Sequence, residues 1–152
     1  MRLGSLLALA AAVVPSMAAA QARQQSTVLM SEDEGERRFQ EEWGYSDAVV
    51  AGDTIYLAGA IPALPDGTRV TGSFAEQAHA AFRNLAAVAE AAGSSLDQAV
   101  RVGVYLRDFA DFAELNEIYP QYIKGEHLPV RTTLPVPLVG FDIEIDAVLY
   151  TA

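Results

Sequence analysis

Residues 141–150 alternate almost without fault: Phe141, Ile143, Ile145, Ala147 and Leu149 take one side, and Asp142, Glu144 and Asp146 take the other. Successive side chains of a strand point to opposite faces, so this run predicts a strand with one face sealed against a core and one face carrying acids. Such a strand needs an apolar layer beside it. Residues 73–92 offer one. Ser73 and Glu76 stand at capping-box spacing, which satisfies two otherwise orphaned backbone donors. Phe74, Ala78, Phe82, Leu85, Ala89 and Ala92 then recur at steps of three and four and form one stripe, and Gly93 supplies the stop.

The remaining elements follow the same logic. Residues 47–51 and 54–58 are short strand-like runs separated by Ala51-Gly52-Asp53, a turn with glycine at its centre, and Pro65-Asp66-Gly67 marks a further turn. Val100 to Leu106 reads as a strand. Residues 111–122 read as a second helix with Phe112, Leu115, Ile118, Tyr119 and Tyr122 on its apolar face, and Pro120 predicts a kink or an early end. Residues 131–136 form another strand, which Pro135 assigns to an edge or a short element. The order strands, helix, strand, helix, strands predicts an α+β fold: one layer of mixed, mainly antiparallel sheet with two helices packed on one face.

The N-terminus carries a different signal. Met1-Arg2, an apolar stretch from Leu3 to Val14, and Ala20 and Ala22 in A-x-A spacing are the marks of a secretory signal peptide over residues 1–22. Cleavage before Arg23 would leave 152 minus 22, or 130 residues, and the loss of Arg2 would take the net charge from −10 to −11. A periplasmic or secreted protein is the expectation, with no membrane association once the leader is removed. Residues 23–42 are polar and charged and read as a solvated or loosely attached arm, with a single domain over 43–152.

Charge and cysteine content exclude several function classes. Twenty Asp and Glu against ten Lys and Arg argue against nucleic acid as a partner, because phosphate binding needs clustered cations. The chain has no cysteine, which removes disulfide scaffolds, thiolate metal sites and cysteine nucleophiles together. P-loop, dinucleotide-binding and nucleophile-elbow motifs are missing, and His79 and His127 lack a metal-ligand spacing. Two features remain. Arg131 opens an otherwise apolar strand, and Glu144 stands on the acidic side of the 141–150 run. A guanidinium on a rigid strand can grip a carboxylate through two parallel hydrogen bonds, and a nearby carboxylate can orient or deprotonate a water. An ion pair between Arg131 and Glu144 on neighbouring strands, or plain solvated charges, accounts for the same residues, and spacing alone favours this structural reading. The acidic face also admits a subunit contact, since a sheet with helices on one side must cover its other face.

Six stretches stand out together: residues 44–49 (Gly-Tyr-Ser-Asp-Ala-Val), 55–59 (Ile-Tyr-Leu-Ala-Gly), 91–96 (Ala-Ala-Gly-Ser-Ser-Leu), Asp111-Phe112 with Asn116-Glu117-Ile118-Tyr119, 129–133 (Pro-Val-Arg-Thr-Thr) and 143–147 (Ile-Glu-Ile-Asp-Ala). In this order and spacing, from Tyr45 to Leu149, the chain resembles the RidA (YjgF) family of enamine/imine deaminases. The resemblance implies a chorismate-mutase-like homotrimer with sites between subunits. It also implies hydrolysis of enamine/imine acids such as 2-aminoacrylate to 2-oxo acids and ammonia, with a small imino or oxo acid as ligand and neither metal nor organic cofactor. Arg131 falls on the family's carboxylate-binding arginine and Glu144 on its water-handling glutamate. Tyr45, Gly59, Asn116 and Thr133 fall on its substrate-binding positions. The chain departs from the family in reading Ala58-Gly59-Ala60 where Ser-Gly-Gln is common, and in a shorter segment between Arg131 and Glu144. A non-catalytic binding module for small carboxylic or 2-oxo acids fits the same cleft. A ribonuclease, an activity attached to the family's older name, runs against the acidic charge and the lack of a basic stripe.

Overall fold

The computed structural model describes residues 26–151, so the leader read at 1–22 lies outside the described residues. The elements are β1 (Ser26–Leu29), α1 (Glu34–Trp43), β2 (Ala48–Ala51), β3 (Thr54–Ala60), α2 (Phe74–Ala91), β4 (Ala99–Leu106), α3 (Phe112–Ile118), β5 (Val130–Pro135) and β6 (Ile143–Tyr150). They build one six-stranded mixed sheet in the order β1-β2-β3-β6-β4-β5. Every neighbouring pair is antiparallel except β4 and β5, which run parallel. A parallel pair needs a long crossover, and the chain makes it through α3. The final strand, β6, inserts between β3 and β4. The edge position expected for the Arg131 strand is what β5 occupies.

The alternation that predicted β6 decides the core. Ile143, Ile145, Ala147 and Leu149 are all buried, and they meet Ile55 and Leu57 of β3, Val102, Val104 and Leu106 of β4, and Phe74, Ala78, Phe82, Leu85 and Ala89 of α2. The capping box forms as the spacing predicted. Ser73 Oγ accepts from the Glu76 amide at 3.3 Å, and the Ser73 amide donates to Glu76 Oε2 at 2.7 Å. Ser73→Ala is expected to cost about 1 kcal/mol in urea unfolding, with an unchanged far-ultraviolet spectrum, because one helix-end donor loses its acceptor.

Two local expectations change. The segment 23–42, expected to be a solvated or loosely attached arm, contains β1 and α1. Asp33 starts α1 by accepting from the Gly35 amide through Oδ1 at 2.9 Å and from the Arg37 amide through its carbonyl at 2.9 Å. Gln40 then anchors it: fully buried, it accepts from the Ser31 amide at 3.0 Å and donates to Asp47 Oδ1 at 2.6 Å. Glu34, Arg37, Arg38, Glu41 and Glu42, among the charges that suggested an arm, lie on exposed sides of this helix. The second expected helix ends early, as Pro120 predicted: α3 closes at Ile118 and a tighter turn, Tyr119–Gln121, follows.

Candidate active site

Arg131 lies opposite Val102 in the β4–β5 pairing and Thr133 lies opposite Val104, so both take the helix-covered side of the edge strand. There Arg131 meets a stripe of α3 and the turn after it. Its Nη2 donates to Asn116 Oδ1 at 2.8 Å. Its guanidinium carbon lies 4.7 Å from the centre of the Tyr119 ring and 5.7 Å from that of Phe112. Positions 112, 116 and 119 are spaced by four and three, which is one face of a helix. Asn116 and Arg131 are exposed, while Phe112 and Tyr119 are half-buried. The hydroxyls of Tyr119 and Thr133 are buried without a hydrogen-bond partner, and no other buried side-chain nitrogen or oxygen among the described residues shares that condition.

Glu144 occupies the opposite, uncovered face. It pairs with Tyr105 of β4 in register, beside Asp146, which pairs with Gly103. The register slips between Leu57 and Ala60 of β3, so that Gly59 lies under the Glu144 side chain. A Cβ on Gly59 would sit 2.0 Å from Glu144 Oε1, which makes this glycine a space requirement for the carboxylate. Burial first, and then the charge of Asp146, push the Glu144 carboxyl above its ordinary value of 4.5; the positive charge of Arg69 acts the other way. Arg69 rests over the Phe141 ring at 5.1 Å. Asp146 is already engaged, ion-paired to Arg101 at 2.7 Å and bonded by the Tyr105 hydroxyl at 2.7 Å. Of the two acids, Glu144 is the one left to meet a ligand.

Tyr45 stands just before β2, with its ring against the edge of Phe39 at 6.4 Å, and Asp47 O accepts from the Ala58 amide at 2.9 Å. This places Tyr45, Gly59 and Glu144 at one end of the sheet. The chain therefore sorts the six sequence candidates into two groups: Arg131, Asn116 and Thr133 together on the helix side of one edge, and Glu144 and Gly59 on the open face with Tyr45 at the same end of the sheet. The ion pair between Arg131 and Glu144 on neighbouring strands does not form. β4 separates their strands and the two side chains leave opposite faces. Sequence reasoning also missed Tyr119 and Phe112 as partners of Arg131, having placed both on an apolar core face. Their spacing around Asn116 was the available signal.

These elements recur in known proteins. The family described as Endoribonuclease L-PSP matches residues 35–151. A RutC family protein of Pyrococcus horikoshii is 41% identical over 109 residues, covering 70% of this chain and 86% of that protein. A human protein described as 2-iminobutanoate/2-iminopropanoate deaminase is 40% identical over 107 residues, covering 68% and 77% respectively. The crystal structure of yeast Mmf1 superposes with a TM-score of 0.71 at 28% identity, over 84% of this chain and all of that one. The expectation of a periplasmic or secreted protein does not stand. Among the matching relatives are archaeal and yeast proteins, two of the yeast ones described as mitochondrial, and this conflicts with a periplasmic signal peptide.

Proposed function

This chain belongs to the Endoribonuclease L-PSP family, also called YjgF/RidA, and from that premise we propose that it hydrolyses enamine/imine acids to 2-oxo acids and ammonia. The observation that carries the reading is the setting of Arg131. One of its nitrogens is held by Asn116 and its guanidinium carbon sits over the Tyr119 ring, which leaves its remaining donors for a ligand carboxylate. The human and rat relatives described as 2-iminobutanoate/2-iminopropanoate deaminases supply the matching substrate class.

In the proposed reaction Arg131 clamps the substrate carboxylate and Glu144 orients the water. As the water oxygen bonds to the carbon of the protonated imine, Glu144 takes a water proton, giving a neutral carbinolamine. Glu144 returns that proton to nitrogen and then takes the hydroxyl proton as the C=O forms and the C–N bond breaks, releasing ammonia and the 2-oxo acid. Thr133 and Tyr45 border the ligand, and no metal or organic cofactor takes part. Because one chain holds Arg131 and Glu144 on opposite faces, the site is completed between copies. A homotrimer brings the β5 edge of one copy to the open face of the next. Val130 and Leu134, on the open-face side of that edge, are 72% and 47% exposed and suit such a contact.

The test is ammonia release from 2-iminopropanoate and 2-iminobutanoate, generated in situ by an amino-acid oxidase, with and without the protein. Acceleration over spontaneous hydrolysis supports the reading. Calorimetric binding of 2-oxobutanoate with no acceleration would assign the binding module instead, which Ala58 and Ala60 favour by leaving fewer polar groups beside Gly59. Gly59→Ala gives a finer check. The added methyl displaces the Glu144 carboxylate, so kcat is expected to fall by about a hundredfold. The melting temperature should hold nearly constant, because Gly59 is exposed and the clash is with the movable end of one side chain.

A further inference from the structure

We propose that Tyr119 is the positioning residue that sets carboxylate affinity at this site, by fixing the plane of the Arg131 guanidinium. The inference rests on Arg131 as the carboxylate clamp and not on the hydrolysis that follows.

An arginine on an exposed edge strand is a poor clamp by itself. Its long side chain samples many rotamers, and ordering it on binding removes affinity. The bond to Asn116 fixes one nitrogen but leaves the guanidinium plane free to turn about it. The Tyr119 ring face, at 4.7 Å, is what holds that plane. The ring is itself packed against the core. Its edge contacts Phe82 at 5.9 Å, Phe82 is fully buried on α2, and Tyr122 stacks on the other ring at 4.7 Å. A continuous set of rings therefore runs from the centre of the core to the cation.

The hydroxyl of Tyr119 marks the ring as the working part. It is buried and unpartnered, and an unpaired buried hydroxyl costs stability without return. Burial also pushes it above the ordinary tyrosine value of 10.0 against the opposing pull of Arg131, so it remains protonated and does not claim the guanidinium as a phenolate. The donors of Arg131 not bonded to Asn116 remain for the ligand.

The experiment compares Tyr119→Phe, which keeps the ring, with Tyr119→Met, which fills the space without a π face. The ligand is 2-oxobutanoate, followed by calorimetry, alongside KM and kcat for 2-iminobutanoate. Tyr119→Met is expected to weaken Kd and KM about tenfold while kcat changes less than about twofold, the span expected for loss of a partly desolvated cation–π contact. Tyr119→Phe should retain wild-type affinity with no loss of melting temperature. Unchanged affinity in Tyr119→Met, or an equal loss in Tyr119→Phe, would overturn the proposal. If Tyr119→Met does not fold, the wild-type protein decides by nuclear magnetic resonance. The Arg131 side-chain N–H signals should be displaced upfield by the ring and move further when 2-oxobutanoate binds; unshifted signals would likewise overturn it. A wild-type protein that binds 2-oxobutanoate but hydrolyses no imine would remove the deaminase reading and leave this inference standing or falling on Kd alone.

Discussion

Arg131→Ala is expected to lower kcat/KM for imine hydrolysis by at least about a hundredfold. Two charge-assisted hydrogen bonds to a carboxylate are each worth roughly 1.5–3 kcal/mol, and about 1.4 kcal/mol is a factor of ten. The fold should not suffer in proportion. Arg131 is exposed, it has no ion pair among the described residues, and its removal forfeits one bond to Asn116 and two ring contacts. Full retained activity in a folded variant would exclude the clamp. The same variant also tests where the site is assembled. Arg131→Ala and Glu144→Gln, each inactive alone, should recover activity when dissociated, mixed in equal amounts and reassembled. Recovery should reach about a quarter of wild type if each site draws its two residues from two copies independently. A site contained in one chain gives no recovery.

Glu144→Gln is expected to reduce kcat by a factor of about 10² to 10⁴, the usual contribution of a positioned general base. The pH dependence separates this from a steric effect. The acting form is the carboxylate, and burial beside Asp146 holds the carboxyl above its ordinary 4.5. Wild-type kcat/KM should therefore rise with pH through a limb lying above the normal carboxylate range, and the residual activity of Glu144→Gln should lack that limb. Stability moves the opposite way. A carboxyl whose folded value is raised contributes its stability below the unfolded value and loses it as pH rises through the folded one. At neutral pH, Glu144→Gln removes that penalty, so its melting temperature should equal or exceed that of wild type. A variant both inactive and markedly less stable would make Glu144 a structural residue.

The elements were largely legible because their signals are local. Ser73 and Glu76 announce a helix end through two hydrogen bonds three residues apart, and Pro120 closes another by steric clash. The arm at 23–42 was misread for a related reason. Its charge density is visible in the sequence, whereas the burial of Gln40 between Ser31 and Asp47 depends on where the helix docks. Phe112 and Tyr119 do pack against the core, as ring-bearing residues at helical spacing suggest, but their second role beside Arg131 was not legible. Only the arrival of β5 beside α3 turns them toward a guanidinium.

By itself the sequence determined the α+β class, the face of β6 that is buried, and the identities of Arg131 and Glu144 as the unusual charges. The tertiary structure decided which strands are neighbours. A period of two tells each side chain which face to take but says nothing about which strand lies alongside, because that pairing is set by long-range packing. The insertion of β6 between β3 and β4, with β5 beyond β4 at the edge, separates the two charges by a strand and a sheet's thickness. That separation turns a pair the sequence allowed as an internal salt bridge into two half-sites facing outward.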